Sequence, residues 1–64
     1  MNKPIIKTVN NITVVTVGTD SHVFSRVVTF ANIRSELIEA LARAEQRGAG
    51  AKATVRSLTR MLVA

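Results

Sequence analysis

What most constrains this chain is a missing residue type: in 64 residues it has no cysteine. A domain of this size buries only about 60% of the surface its unfolded chain exposes, and is marginal alone. Chains so short commonly recruit disulfides, a structural metal or a partner chain. Without cysteine, disulfides and thiolate metal sites are excluded. His22 is the only histidine, so no zinc site is expected within one copy, and no cofactor is expected either. Yet 47% of the residues are hydrophobic. The simplest expectation is one domain, residues 1–64, that shares apolar surface with another molecule. A homo-oligomer, most simply a dimer, satisfies this.

The order of hydrophobic patterns gives the fold class. Ile5–Val9, Ile12–Val17 and Val23–Phe30 are rich in Val, Ile, Thr and Phe, which suit a pleated surface. Asn10-Asn11 separates the first two runs and tolerates positive φ, as a tight hairpin requires. Gly18-Thr19-Asp20-Ser21 is a second turn cluster. Pro4 and the nearby terminus confine the first run to an edge. On the second run Ile12, Val14 and Thr16 alternate with Thr13, Val15 and Val17. The third run as drawn puts Phe24, Arg26, Val28 and Phe30 on one side. No run shows a clean polar face, so the sheet is expected to be covered on both sides, by helices on one and a second molecule on the other.

The second half reads as helical. Asn32 is a candidate N-cap for a helix that Arg47 closes. Ile33, Leu37, Ala40, Leu41 and Ala44 fall on one stripe of it. Glu39 and Arg43 form a favourable i,i+4 pair, and Gly48 suits the left-handed C-cap. A last helix runs from about Ala51, with Ala51, Val55, Leu58 and Leu62 apolar and Met61 beside them. The expected architecture is therefore α+β: an antiparallel meander of two or three strands followed by two amphipathic helices, β-β-(β)-α-α. Its expected core is Val15, Val17, Val28, Phe30, Ile33, Leu37, Leu41, Val55, Leu58 and Leu62.

Charge is the remaining signal. The net charge is +5, and it is concentrated at the C-terminal end. Glu45 is the last acid, and Arg47, Lys52, Arg56 and Arg60 follow it. Lys52, Arg56 and Arg60 stack at i, i+4, i+8 on the last helix, without an acid between them. Like charges at that spacing favour a counter-charge, such as phosphates or an acidic protein surface. The alternative is a solvated face that keeps an apolar chain soluble.

Catalytic motifs are weak, and no enzyme is expected. Asp20, Ser21 and His22 supply the residue types of a triad, but adjacency in sequence is the wrong geometry. His22 reads instead as a surface-turn histidine. Glu36 and Glu39 read as cap and salt-bridge residues on an exposed helix face. Gly48-Ala49-Gly50-Ala51-Lys52 lacks the spacing of a phosphate loop and follows a helix rather than a strand. The first amides of the last helix, with Lys52, leave room for one backbone phosphate.

Arg26–Phe30, then the helix to Arg47, then Gly48 and the helix from Ala51, resembles the ribbon-helix-helix layout of small dimeric DNA-binding proteins. The pattern covers about the last 40 residues. It departs from that family in the β-rich segment before the ribbon, and in a ribbon that does not alternate polar with apolar. A helix-turn-helix over Leu41–Leu62 would lack a third helix.

Two functions fit. One is a nucleic-acid-binding module, regulatory or otherwise, that contacts phosphates through Lys52, Arg56, Arg60, Arg43 and Arg47. The other is a protein-binding inhibitor, adaptor or assembly subunit, of the kind viral and mobile-element genomes encode. It would act through a strand edge or an apolar sheet face containing Ile12, Val14, Val23 and Val27. The start, Met1 to Lys7, has no apolar leader run, and no stretch reaches 18 apolar residues. A cytoplasmic location with no membrane partner and no small-molecule substrate is expected.

Overall fold

The computed structural model describes residues 3–64. Met1 and Asn2, on which the expectation of no leader partly rests, lie outside the described residues. Three strands, β1 (Ile5–Val9), β2 (Ile12–Val17) and β3 (Asp20–Phe24), form an antiparallel sheet in the order β1-β2-β3. Two helices follow, α1 (Ile33–Gln46) and α2 (Lys52–Val63). This is the expected α+β order, with the third strand present.

Local chemistry sets both hairpins. Asn10 and Asn11 both hold positive φ, 52° and 63°, as a two-residue type I′ turn requires. Val9 therefore pairs with Ile12, and Lys7 with Val14. Between β2 and β3 only Gly18 has positive φ, at 61°. The turn is thus Gly18-Thr19, and Val17 pairs with Asp20. That registry corrects the expected strand Val23–Phe30. β3 begins three residues earlier and ends at Phe24, because the two-residue turn starts the pairing at once.

β3 stops where β2 runs out, since its register would set Arg26 opposite Asn11 of the turn, and the segment that follows is held by Thr13. Its buried hydroxyl donates to the Arg26 carbonyl at 2.8 Å and accepts from the Val28 amide at 3.0 Å. A side chain thus satisfies two backbone groups that have no ladder partner, and the chain turns away from the sheet. Val28 drops into the core, while Arg26 pairs with Glu36 of α1. The strand Arg26–Phe30 required by a ribbon-helix-helix layout is therefore absent.

Sequence periodicity placed most of the core correctly. Thr13, Val15 and Val17 point inward from β2, and Phe24 from β3. Ile33, Leu37, Ala40 and Ala44 meet them from α1, and Ala51, Leu58 and Met61 from the α2 segment. Leu41, Val55 and Leu62 are only partly buried against this cluster. Phe30 is a correction: it is 63% exposed, in a single 3-10 turn (Phe30–Asn32) that leads into α1. Asn32 takes the N-cap position, but its side chain makes no capping bond; Ser35 donates to its carbonyl instead. Gly48, at φ 76°, ends α1 in the left-handed conformation expected. A 3-10 turn over Gly48–Ala51 then starts α2. No described helix is long and apolar enough to cross a membrane.

Candidate functional site

Two surfaces emerge, one on each side of the sheet. The first follows from pleat and register. Residues facing away from the helices are Ile5, Lys7 and Val9 on β1, Ile12, Val14 and Thr16 on β2, and Ser21 and Val23 on β3. Ile5 is 68% exposed, Val23 58%, Val9 55% and Ile12 46%. An antiparallel sheet with one solvated face normally carries polar residues there. This face carries one charge, Lys7. The helices cover the other side only, so half of the expected two-sided covering is present within one chain.

Of the interface residues expected from sequence, Ile12, Val14 and Val23 lie together on this face. Val27 is exposed, but it lies beyond β3 and is not part of the sheet. Ile5 and Val9 were missed. Their signal was the Ile5-Lys7-Val9 alternation, whose partners become evident only once the Asn10-Asn11 turn fixes register.

The second surface is basic, and it does not form a single stripe. Arg60 is occupied. Its Nε lies 3.0 Å from Asp20 Oδ2, and its Nη2 lies 2.7 Å from Oδ1. Ser57 also donates to Asp20, at 3.2 Å. The acid absent from the helix itself is supplied by the sheet. The Arg60 hydrogen bonds hold the Asp20 carboxyl below its ordinary pKa, and the same contact raises that of Arg60. Arg43 has a loose, exposed contact with Glu39 at 4.0 Å. Among the described residues, Arg47, Lys52 and Arg56 form no ion pair.

Four of the basic residues fall into two groups. Lys52 and Arg56 line a shallow groove between the helices with Glu45, Gly48, Ala49 and Val55. Arg43 and Arg47 line a different recess, with His22, Ala40, Ala44 and Thr54. Helical geometry explains the separation, since Glu45 lies about 200° around α1 from Arg43. His22 is not in a turn. It lies within β3 on the helix side, with its ring edge-on to Phe24 at 4.8 Å between centroids. Its pKa is lowered, first by burial and then by the charges of Arg43 and Arg47. Neither Ser21 nor Asp20 hydrogen-bonds to it: Ser21 pairs with Thr16, and Asp20 with Ser57 and Arg60. The candidate triad is therefore not assembled.

These shifts set a pH response. A carboxyl with a lower pKa in the folded state stabilises above the ordinary carboxylate range, and the contribution fades as pH falls through the folded value. Asp20→Asn should therefore flatten the loss of melting temperature on acidification below about pH 4. A base with a lowered folded pKa behaves differently: the unfolded chain takes the proton first, so stability declines as pH falls below the ordinary histidine value. His22→Gln should remove the part of that slope lying just below about pH 6.5. Thermal melts across pH check both.

No protein-family model, curated protein or solved structure matches this chain.

Proposed function

We propose that this chain is a protein-binding module that docks the outer face of its sheet onto an apolar patch of an acidic partner protein. The observation that carries this reading is the row of exposed Ile5, Val9, Ile12 and Val23 around Val14. Contiguous apolar surface of this kind is costly in water and commonly marks an interface.

Size and charge choose between a second copy and a different protein. Three strands about 4.8 Å apart and about 17 Å long give a footprint of roughly 250 Å². A standard interface buries about 800 Å² per partner. Even allowing twofold for side-chain relief, a homodimer held by this face alone would be weak. A tighter partner has to reach past the face, and it approaches a chain whose overall net charge is +5. An acidic protein gains there, and a second copy is repelled. The edges of β1 and β3, which have no neighbouring strand among the described residues, offer further pairing.

The test uses a photo-crosslinking amino acid placed at Val14, with Ala53 as an exposed control on α2. A specific acidic protein should be captured from Val14 and not from Ala53. Purified, it should bind the wild-type chain and lose about 100-fold or more in affinity with Val23→Lys, which buries a charge at the contact. Equal capture from both positions sinks the reading. Light scattering over a concentration series should show a monomer, or a dimer only at high concentration. A stable dimer at low concentration would restore the second copy as the occupant.

A second reading has its own support. Arg47, Lys52 and Arg56 have no acidic partner among the described residues, and with Arg43 they can contact phosphates. If nucleic acid is the partner, Arg47→Gln and Lys52→Gln should each lower the salt slope of binding by about one. Arg60→Gln should leave the slope unchanged, because Asp20 already neutralises that guanidinium.

A further inference from the structure

The recess beneath Arg43 and Arg47 is unlike the open sheet face. It has a volume of about 210 Å³. A water occupies about 30 Å³ in the liquid, so the recess admits a tetrahedral oxyanion with water to spare. Its floor is cut by two alanines, Ala40 and Ala44, at positions where a longer side chain would fill it. The polar residues that line it are His22, Arg43, Arg47 and Thr54. We propose that His22, Arg43, Arg47 and Thr54 form a binding site for a phosphate group.

The donor set carries the argument. Guanidinium forks present paired N–H donors, an imidazole presents at least one, and a hydroxyl adds a rotatable one. Donors from β3, α1 and α2 surround the recess on several sides. A carboxylate has two oxygens and would leave part of this set unused, whereas a phosphate has enough acceptors to meet it. The charge balance points the same way. On α1, Glu39 touches only Arg43, loosely and in solvent, and Glu36 is taken by Arg26. On β3, Asp20 faces the same side but is held by Arg60 and Ser57 of α2. No carboxylate lines the recess. Burial first, and then the charges of Arg43 and Arg47, hold the His22 pKa below its ordinary value. An anion seated between them would relieve that repulsion.

The site lies on the helix side of the sheet, so it does not depend on the docking face. It bears on the nucleic-acid reading only through the source of the phosphate. A free phosphate or phosphorylated small molecule and a backbone phosphodiester share the chemistry.

The test follows the His22 Hε1 resonance by NMR through pH titrations in inorganic phosphate, and in chloride at matched ionic strength. Saturable binding in phosphate, with the His22 pKa moving up, is expected. Arg43→Gln and Arg47→Gln should each weaken binding by about tenfold, as expected for losing a charge-assisted hydrogen bond. Thr54→Val should weaken it less. Amide spectra of these surface variants confirm that they fold. A second arm repeats the titration with a short DNA duplex. If the duplex shifts His22 and is weakened by Arg47→Gln, the source is a phosphodiester. If inorganic phosphate acts and the duplex does not, the site stands and its ligand is a free phosphate or a phosphorylated small molecule. Identical His22 titrations in phosphate, duplex and chloride would overturn the site, as would binding unchanged in both arginine variants.

Discussion

Leu58→Ala should leave little of this chain folded at room temperature. Leu58 is fully buried where α2 contributes to the core shared with α1 and the sheet. Truncating a buried leucine to alanine costs about 2–5 kcal/mol, through lost transfer energy and the cavity left behind. A single core in a domain this small rarely supplies more than about 3–5 kcal/mol of net stability. The two figures overlap, so one substitution consumes most of the margin. Larger proteins absorb such a loss; here no disulfide shares it. Leu62→Ala should cost distinctly less, because Leu62 is only partly buried against the same cluster. Urea unfolding followed by circular dichroism distinguishes the two. A Leu58→Ala protein that keeps a full cooperative transition near the wild-type midpoint would mean that the core does not close around α2 as described.

Thr13→Val is the second large effect, and it tests a less obvious feature. The substitution preserves shape and removes one hydroxyl. The Val28 amide then loses its partner in the interior, and so does the Arg26 carbonyl. An orphaned buried group costs about 1–3 kcal/mol. For a domain of this size each kcal/mol lowers the melting temperature by about 4–8 °C. Thr16→Val is the matched control. Thr16 bonds Ser21 at the solvent side, where water replaces the lost partner. Its melting temperature should barely move. Hydrogen exchange adds a site-specific readout: the Val28 amide should become among the least protected of the buried amides in Thr13→Val. Equal stability in the two variants would show that the segment after β3 is held by packing alone.

The two predictions also indicate how far residue patterns reach. The Asn10-Asn11 turn was legible because few residue pairs accept two consecutive positive φ angles, and it fixed the β1–β2 register at once. The α1 stripe was legible because a 3.6-residue period repeats over four turns. Gly18-Thr19-Asp20-Ser21 was legible as a turn but not as a two-residue one. Its Asp20 and Ser21 belong to β3, and that shift moved the whole strand. By pattern alone Thr13 is one more β-branched residue on a face. Nothing in its neighbours announced that its hydroxyl would bind a segment 13 and 15 residues away. For the same reason Arg60 looked free: its acid lies 40 residues distant in sequence.

Apolar periodicity and turn chemistry are local properties, and they determined the element order, the helix faces and the first hairpin. Partnership between distant side chains is not local. Which cations remain unpaired and which sheet face stays open depended on how the helices cross the sheet. That packing seats Asp20 against Arg60, places His22 beneath Arg43 and Arg47, and leaves Ile5, Val9, Ile12 and Val23 in water. A side chain's neighbours across the fold are set by the sum of many weak contacts over the whole chain, and no short window of residues contains that sum.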